Sequence, residues 1–377
     1  MSLFRSVGLF LLWLPALVMA QQLPTPPALA AKSWLLVEAA SGQELAAQAP
    51  DQRLEPASLT KLMTAYLSFA ALRQGTIKLD QLVPVSQKAW KISGSRMFIQ
   101  VGTTVKVEDL LKGMIVQSGN DACIALAEAI AGDEDNFAQM MNREAQRLGM
   151  KSSNFRNSSG WPDPQHYTTA RDLAILAAAL VRDFPDEYAK YYSLKDFRYN
   201  NITQPNRNRL LYIDPTVDGM KTGHTDAAGY CLVSSAKRGA RRLISVVLGT
   251  ASDNARAQES LKLLNYGFQF YDAVQLYAKN DAVSTVKVWK GQQSGVKLGF
   301  PSGLVLAVPK GFGPKLKTEM VSQQPLMAPV APGQVIGTLK VSLDGKPYGD
   351  YPLQALEAVP TAGLVGRTID AIRLWFN

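Results

Sequence analysis

The spacing of apolar residues changes along the chain and divides it into regions of different secondary structure. The segment SWLLVEAASGQELAA (33–47) predicts a strand, a Ser-Gly turn and a return strand. Helix-forming residues with recognisable ends then predict helices over 56–75, 105–117, 120–131, 134–148 and 169–183. From about residue 216 the pattern predicts strands at 230–237 and 241–250, followed by a helix over 254–271.

Beyond residue 277 the pattern changes again. Strand-like runs such as VSTVKVW, LVLAVP and VIGTLKVSL alternate with Gly/Pro turns, and a helical pattern returns only at the end of the chain. Residues 277–360 are therefore expected to form a separate, smaller all-β domain, resembling a sandwich.

The last residues, 361–377, form an amphipathic pattern on a helical wheel. One face carries the apolar positions Leu364, Val365, Thr368, Ile369, Ala371, Ile372, Trp375 and Phe376, and the other carries Arg367, Asp370, Arg373 and Asn377. Two interpretations stay open. The segment is either a terminal helix docked on the β domain or an anchor lying in the plane of a membrane surface, which a Trp-Phe tip and two arginines suit.

The N-terminus predicts export. Arg5 precedes the apolar run VGLFLLWLPALV, which is short for a membrane span, and Val18-Met19-Ala20 offers small residues for a signal-peptidase site. Residues 1–20 are thus expected to be a signal peptide, with a first folded domain over 21–276. No later segment is apolar over the length that a spanning helix requires.

Composition narrows the classes of function. The chain has 377 residues and a net charge of +9, but its lysines and arginines are scattered, which argues against a nucleic-acid partner. Two histidines and two cysteines in no ligand spacing predict neither a metal site nor a cofactor. In an exported protein, Cys123 and Cys231 could form a disulfide or remain two buried thiols.

The first candidate site is Ser58-Leu59-Thr60-Lys61, at the start of the first predicted helix. A spacing of three puts the Ser hydroxyl and the Lys amine on one face, one turn apart. The same spacing in predicted strands or turns brings no such contact, which sets aside the other Ser-x-x-Lys pairs, at 234–237, 284–287 and 294–297. A lysine can act as the base for a serine only if its pKa is lowered by burial or by another cation.

Two further motifs follow in order. Ser118-Gly119-Asn120 lies between two predicted helices, where helix capping is the usual role of such a triplet, and Lys221-Thr222-Gly223 begins a predicted strand. The similar triplets at 152–154 and 252–254 lack the order or the context. Together the three motifs match the arrangement of penicillin-binding serine acyltransferases.

The chain resembles the low-molecular-mass penicillin-binding proteins of the D-alanyl-D-alanine carboxypeptidase type. The segments that carry the resemblance are PASLTKLMT, GMIVQSGNDAC, ITQPNRNRLL, VDGMKTGHTDAAGY, the β domain and the amphipathic tail. The resemblance implies an α/β (α+β) penicillin-recognising domain of the transpeptidase/β-lactamase kind, with a central antiparallel five-stranded sheet flanked by helices. It places the site between the Ser58 helix and the Lys221 strand.

Chemistry and the resemblance together imply roles for the motif residues. Ser58 would be the nucleophile and Lys61 the general base, with Lys221 as the cation that lowers the pKa of Lys61. Ser118 would relay a proton to the leaving amine, and Asn120 would orient Lys61 and the substrate. The backbone N–H groups of Ser58 and His224 would form the oxyanion hole.

Residues for substrate binding are expected on and near the predicted strand. Thr222 and, by resemblance, Arg207 would bind the terminal carboxylate, and Arg256 is a weaker candidate for the same role. A solvated surface position is the alternative for both arginines and is favoured for Arg256. A side chain at Gly223 would obstruct a substrate lying along the strand. His166 lies in the loop SSGWPDPQHYTTARD near the site, where a role in loop packing is expected. That loop has no glutamate, so a penicilloyl-enzyme should hydrolyse slowly.

These features favour a periplasmic D,D-carboxypeptidase, held at the outer face of the inner membrane, that trims pentapeptide stems of peptidoglycan. β-Lactams would be covalent inhibitors. The alternatives are a D,D-endopeptidase that cuts crosslinks, a weak β-lactamase, and a non-catalytic scaffold protein. The intact serine and lysine motifs argue against the scaffold. The sequence does not indicate an oligomeric state.

Overall fold

The computed structural model describes residues 25–375. The expected signal peptide, 1–20, lies outside the described residues. The elements of the front domain, in chain order, are β1 (Ser33–Glu38), β2 (Glu44–Gln48), α1 (Lys61–Gln74), β3 (Leu82–Pro84), α2 (Gln87–Lys91), β4 (Thr104–Lys106), α3 (Val107–Val116), α4 (Asn120–Ala131), α5 (Glu134–Leu148), α6 (Ala170–Asp183), α7 (Pro185–Tyr191), β5 (Asp196–Tyr199), β6 (Ile202–Pro205), α8 (Leu210–Ile213), β7 (Val217–Thr225), β8 (Gly229–Arg238), β9 (Arg241–Thr250) and α9 (Asp253–Phe270).

The front domain is built on a five-stranded sheet in the order β2-β1-β9-β8-β7. Every neighbouring pair in this sheet is antiparallel, as the resemblance implied. Strand β7, which carries the Lys-Thr-Gly motif, is an edge strand. One of its sides is therefore free of strand partners among residues 25–375.

The sheet is buried on both faces. In β9, Ile244 and Val246 pack into a core shared with α1 and α3–α7, whereas Leu243 and Val247 pack into a second core against α9. Because successive side chains of a strand point to opposite faces, a strand between two helical layers is apolar at nearly every position. The sequences of these strands therefore show no alternation of apolar and polar residues.

Two of the predicted helices differ from the observed ones at their N-termini. The segment predicted as a helix over 56–75 begins with a 3-10 turn, Ala57–Thr60, before α1 starts at Lys61. The helix predicted from 105 starts at Val107, since β4 pairs with β3 immediately before it. The first difference matters, because it places Ser58 in a tight turn and Lys61 at the first residue of the helix.

The second domain contains the β-strands β10 (Tyr271–Tyr277), β11 (Ala282–Trp289), β12 (Gly295–Gly299), β13 (Leu304–Pro309), β14 (Leu316–Ser322), β15 (Leu326–Met327), β16 (Val335–Leu343) and β17 (Lys346–Ala355). They form a six-stranded sheet, β14-β16-β17-β12-β11-β15, and the pair β10-β13. Since β10 pairs with β13, this domain begins at Tyr271, earlier than the expected boundary at 277. Helix α9 runs directly into β10 without a Gly or Pro, so the sequence offered no break there.

The final helix, α10 (Leu364–Trp375), turns its apolar side chains outward. Leu364 is 81% exposed and Trp375 is 89% exposed, and none of its described residues is buried. One hydrogen bond ties it to the β domain, in which the backbone N–H of Lys290 donates to Asp370 Oδ2 at 2.7 Å. No helix within residues 25–375 combines the length and apolarity needed to span a bilayer.

Candidate active site

Ser58 lies in a tight turn in front of α1. The turn is closed by the backbone N–H of Leu59, which donates to Pro56 O at 3.1 Å, and by Thr60 Oγ1, which donates to Ala57 O at 2.8 Å. Ala57 has a φ of 48°, a left-handed conformation that costs about 1–3 kcal/mol for a residue with a side chain. The turn leaves Ser58 partly exposed and lining a cleft, whereas its neighbours are buried.

Lys61 is 1% exposed and sits beneath Ser58. Its Nζ donates to Ser58 Oγ at 2.9 Å, to Asn120 Oδ1 at 2.8 Å and to the carbonyl oxygen of Ser159 at 2.6 Å. Burial lowers the pKa of Lys61 to about 8, and the positive charge of Arg207 acts in the same direction. A substantial fraction of this amine is therefore neutral near physiological pH.

The Ser-Gly-Asn motif lies where α4 begins. Ser118 is 2% exposed, has a φ of 66° and lines the cleft together with Asn120. The side chain of Asn120 is fixed at both ends, since it accepts from Lys61 and its Nδ2 donates to Ser93 O at 2.8 Å. The motif thus links the lysine to the loop that forms the adjoining wall.

That wall is held by a carboxylate beside the motif. Asp121 is 1% exposed and accepts hydrogen bonds from the backbone N–H groups of Met97, Phe98 and Ile99, at 3.0, 2.8 and 3.2 Å. Such multiple N–H bonds replace the water that a buried carboxylate loses. Asp121 fixes the loop without lining the cleft, and no motif in the sequence predicts this role.

Strand β7 forms the opposite wall. Lys221 and Thr222 are 3% and 4% exposed, while His224 is exposed with its ring 4.0 Å from that of Tyr230, centroid to centroid. A Cβ on Gly223 would come within 2.9 Å of Pro56 O. Glycine is therefore needed because β7 packs on the Ser58 turn. The sequence had suggested that glycine leaves clearance for a substrate along the strand. A Cβ at this position would instead point at the Ser58 turn.

The pKa of Lys221 is lowered well below its usual value, chiefly by burial and then by the charges of Lys61, Arg207 and Arg256. The sequence analysis attributed the lowered pKa of Lys61 to Lys221. In the structure, burial is the largest cause of the shift at Lys61, and the cation that adds to it is Arg207. The charge of Lys61 instead helps to lower the pKa of Lys221.

Arg207 and Arg256, the two arginines considered from the sequence, differ in burial and in hydrogen bonding. Arg207 is exposed, lines the cleft and makes no hydrogen bond or ion pair within residues 25–375. Arg256 is 5% exposed, so the favoured surface position was wrong. It donates from Nη1 to Gly223 O at 3.1 Å and pairs with Asp253, which also lies 3.6 Å from Arg209 Nη1. Arg256 also lines the cleft, but its guanidinium is engaged with β7 and Asp253, and Arg207 is the cation without such a partner within residues 25–375.

His166 is 2% exposed and lies behind the Ser58 turn, outside the lining of the cleft. Its Nε2 is 2.9 Å from Thr60 Oγ1, and its ring meets Phe155 edge-on. Burial lowers the pKa of His166 to about 4, so the ring is neutral at physiological pH. This setting fits a residue that packs the loop.

The loop before His166 contributes groups that the sequence analysis missed. Ser159 supplies the carbonyl that accepts from Lys61, and Asn157 Oδ1 accepts from the backbone N–H groups of Gly160 and Trp161, at 2.8 and 2.9 Å. Gly160 has a φ of 83°, and a Cβ there would overlap the carbonyl of Ala57. A backbone carbonyl leaves no side-chain signature in a sequence, so this contact could not be found by motif.

Residues of the Ser58 turn, the Ser-Gly-Asn motif, the loop 159–162 and β7 line one cleft of about 790 Å³. Besides the residues already described, its lining includes Glu55, Gly94, Ser95, Pro162, Asn206, Thr225, Asp226 and Ala227. Cys123 and Cys231 are both free and buried. Within residues 25–375 no group of His, Cys, Asp and Glu could hold a metal ion.

Comparison with known proteins gives two family matches. Residues 20–252 match the family described as D-alanyl-D-alanine carboxypeptidase, and residues 271–361 match the C-terminal domain of penicillin-binding protein 5. The chain is 43% identical over 380 residues to D-alanyl-D-alanine carboxypeptidase DacC from Escherichia coli (strain K12), covering 99% of this chain and 94% of that relative.

Solved structures agree with these matches. Penicillin-binding protein 5 from Haemophilus influenzae has a TM-score of 0.82 and 43% identity, covering 89% of this chain and 99% of its own. Penicillin-binding protein D2 from Listeria monocytogenes, in its ampicillin-bound form, has a TM-score of 0.59 and 31% identity, covering 64% of this chain and 98% of its own. The second match corresponds in extent to the front domain alone.

Proposed function

The chain belongs to the D-alanyl-D-alanine carboxypeptidase family, and on that premise we propose that it removes the terminal D-alanine from peptidoglycan pentapeptide stems. The observation that carries the proposal is the position of Lys61 Nζ, 2.9 Å from the Oγ of Ser58, which lines a cleft together with several arginines. A serine paired with a buried amine of lowered pKa is the arrangement that an activated nucleophile requires.

In the acylation step, Ser58 Oγ attacks the carbonyl carbon between the two D-alanines while its proton passes to the neutral amine of Lys61. The backbone N–H groups of Ser58 and His224 stabilise the negative charge on the carbonyl oxygen. Removal of one such donor typically costs about 3–4 kcal/mol in the transition state. The close packing of Gly223 on the Pro56 carbonyl supports this pairing, because it holds β7 against the turn that carries Ser58.

Collapse of the tetrahedral intermediate breaks the C–N bond and releases D-alanine. Its amine must take up a proton as it leaves, and Ser118, which lines the cleft with Ser58 and Asn120, is the hydroxyl that relays it. The electrostatic contribution of Lys221 is limited, because burial and the nearby cations lower its pKa well below the usual value. Water then attacks the ester at Ser58, which releases the shortened peptide and restores the hydroxyl.

The substrate's terminal carboxylate is bound by Thr222 and Arg207. Arg207 supports this role because it faces the cleft without an ion-pair partner within residues 25–375. Arg256 acts indirectly by holding the Gly223 carbonyl, and Asp253 neutralises its charge. The site therefore favours a chain that ends in a carboxylate, which supports a carboxypeptidase over an endopeptidase.

β-Lactams acylate the same serine and block the enzyme. The loop that contains Ser159 and Gly160 reaches the lysine with a backbone carbonyl and has no glutamate to activate water for the stable acyl group. Hydrolysis of the penicilloyl ester is therefore slow, which makes the weak β-lactamase a minor activity.

The enzyme acts in the periplasm, on the outer face of the inner membrane. The N-terminal sequence pattern supports export, and the outward apolar face of α10 supports attachment to a membrane surface. Deletion of 361–377 should move the protein from the membrane fraction to the soluble fraction. The double substitution Ile369→Asp, Ile372→Asp should do the same without shortening the chain. If both variants stay bound, α10 is not the anchor.

The activity is tested with labelled penicillin and with a peptide ending in D-Ala-D-Ala. Wild-type protein should form a long-lived adduct and release D-alanine, and Ser58→Ala should do neither. A crosslinked dimer peptide, offered in parallel, should be cut far more slowly. Absence of an adduct and of D-alanine release from folded wild-type protein contradicts the proposal, whereas preferential cutting of the dimer favours the endopeptidase.

A further inference from the structure

A second cavity, of about 570 Å³, adjoins the catalytic cleft. The two share Glu55, Pro162 and Ala227 in their linings, so they are contiguous at that point. The second cavity continues past these residues to Arg53 and Tyr167. None of the roles proposed above uses this extension.

Arg53 is the notable group in the extension. Its guanidinium carbon lies 4.6 Å from the centroid of the Tyr167 ring, and the side chain makes no hydrogen bond or ion pair within residues 25–375. The neighbouring carboxylates are engaged instead, because Glu55 accepts from Thr225 Oγ1 at 2.9 Å and Asp163 accepts from the Gln165 N–H at 2.7 Å. An arginine stacked on an aromatic ring keeps its N–H edge available to an anion.

The backbone around this arginine is fixed. Leu54 and Thr168 exchange two backbone hydrogen bonds, at 2.8 and 2.9 Å, and they follow Arg53 and Tyr167 in the chain. His166 is buried beneath them against Thr60. Arg53 therefore projects from a rigid element that is tied to the turn of the nucleophile.

The direction of β7 indicates which part of a substrate reaches the extension. The terminal carboxylate is assigned to Thr222 and the scissile carbonyl to the His224 N–H, and the strand then runs through Thr225 to Ala227, where the two cavities join. A substrate lying along this wall has its acyl portion directed towards Ala227. From Thr222 to Thr225 the strand spans roughly 10 Å, about the length of three extended residues.

We propose that the second cavity is a subsite for a carboxylate on the amino-terminal side of the acyl D-alanine, bound by Arg53 over Tyr167. This inference rests on the proposed function, because it takes the direction of the substrate from it. The ligand is an anionic residue about two or three positions upstream of the scissile bond.

A pair of peptides tests this assignment. L-Alanyl-γ-D-glutamyl-L-lysyl-D-alanyl-D-alanine carries a free upstream carboxylate, and its isoglutaminyl analogue has a neutral carboxamide at the same position. Wild-type enzyme should prefer the carboxylate peptide in kcat/KM by about fivefold, as a charged hydrogen bond at a half-open site allows. Arg53→Ala should abolish the preference, Arg53→Lys should keep part of it, and Arg143→Ala, an exposed control outside both cavities, should keep it fully.

A binding measurement separates this subsite from the activity itself. In Ser58→Ala, calorimetry of the same two peptides should give the carboxylate peptide the lower Kd, and the difference should vanish in Ser58→Ala, Arg53→Ala. Equal Kd values, or a preference that survives Arg53→Ala, overturn the subsite even if D-alanine is released normally. A preference lost with Arg53, in a protein that releases no D-alanine, supports the subsite and counts against the proposed function alone.

Discussion

Gly160 lies so close to Ala57 that the glycine's missing side chain is what allows the two backbone segments to meet. A Cβ at Gly160 would overlap the Ala57 carbonyl and approach Thr60 Oγ1 to 2.8 Å. Ser159, the residue before Gly160, accepts a hydrogen bond from Lys61 through its carbonyl oxygen. The close approach of Gly160 to Ala57 therefore also fixes the position of the Lys61 amine.

Gly160→Ala should therefore lower both stability and acylation rate. We expect a loss of about 2–5 kcal/mol in the free energy of unfolding, from a strained positive φ together with overpacking. Chemical denaturation measures this loss, and the labelled-penicillin time course measures acylation. Gly149→Ala is the matched control, because Gly149 has a φ of 87° but open space around its Cβ. Equal losses in the two variants would contradict the close-contact explanation.

Lys61→Met should remove the proposed base without unfolding the chain. Methionine fills the buried site without a charge, so the chain should remain folded while acylation slows by about 10²–10⁴-fold. Mass spectrometry of the penicillin adduct gives the rate, and thermal unfolding checks the fold. A folded Lys61→Met variant that is acylated at the wild-type rate would show that another group takes the proton.

The pH dependence of the acylation rate should follow the deprotonation of Lys61. Since the pKa of Lys61 is about 8, kcat/KM should rise about tenfold per pH unit below pH 7 and level off above pH 8, as the neutral base becomes dominant. The positive charge of Arg207 helps to lower this pKa, so Arg207→Ala should move the midpoint to higher pH. Arg209→Ala, which lines the same cleft, should leave the midpoint unchanged. A midpoint that moves down in Arg207→Ala would contradict this electrostatic account.

His166 should make stability depend on pH in the acid range. Its pKa is about 4 in the folded chain and about 6.5 when unfolded, so the unfolded state binds a proton first as the pH falls. Stability should consequently be lost between pH 6.5 and 4, by up to about 3 kcal/mol from this group. Urea unfolding across this range should show a shallower slope in His166→Gln than in wild type, while the exposed control His224→Gln should keep the wild-type slope. Identical slopes in wild type and His166→Gln would exclude His166 as the source.

Much of the fold follows from local sequence. Helices α4 and α5 begin and end where the pattern predicted, because a Ser-Gly break and the Gly132 and Gly149 ends mark them. The start of the β domain at Tyr271 was missed, since nothing interrupts the chain between α9 and β10. Whether a strand begins there depends on its pairing with β13, which is distant in sequence.

The candidate site likewise contains residues that the sequence predicts and groups that it does not. Ser58, Lys61, Ser118, Asn120 and Lys221 could be predicted because the order and spacing of their motifs are visible in the sequence. The burial of Arg256, the Ser159 carbonyl and the Asp121 bonds to 97–99 depend on segments that meet only after folding. A sequence can therefore indicate candidate side chains for a site, but gives little about the groups that hold them in position.

The three acceptors around Lys61 also determine where its lone pair can point. An ammonium has three hydrogens, and Ser58 Oγ, Asn120 Oδ1 and Ser159 O accept one each. When one proton leaves, the two carbonyl oxygens can only go on accepting, since neither atom has a hydrogen to give. The remaining partner, the hydroxyl of Ser58, is the one group of the three that can turn from acceptor to donor. The count of available hydrogens alone therefore directs the lone pair of Lys61 towards the Ser58 hydroxyl.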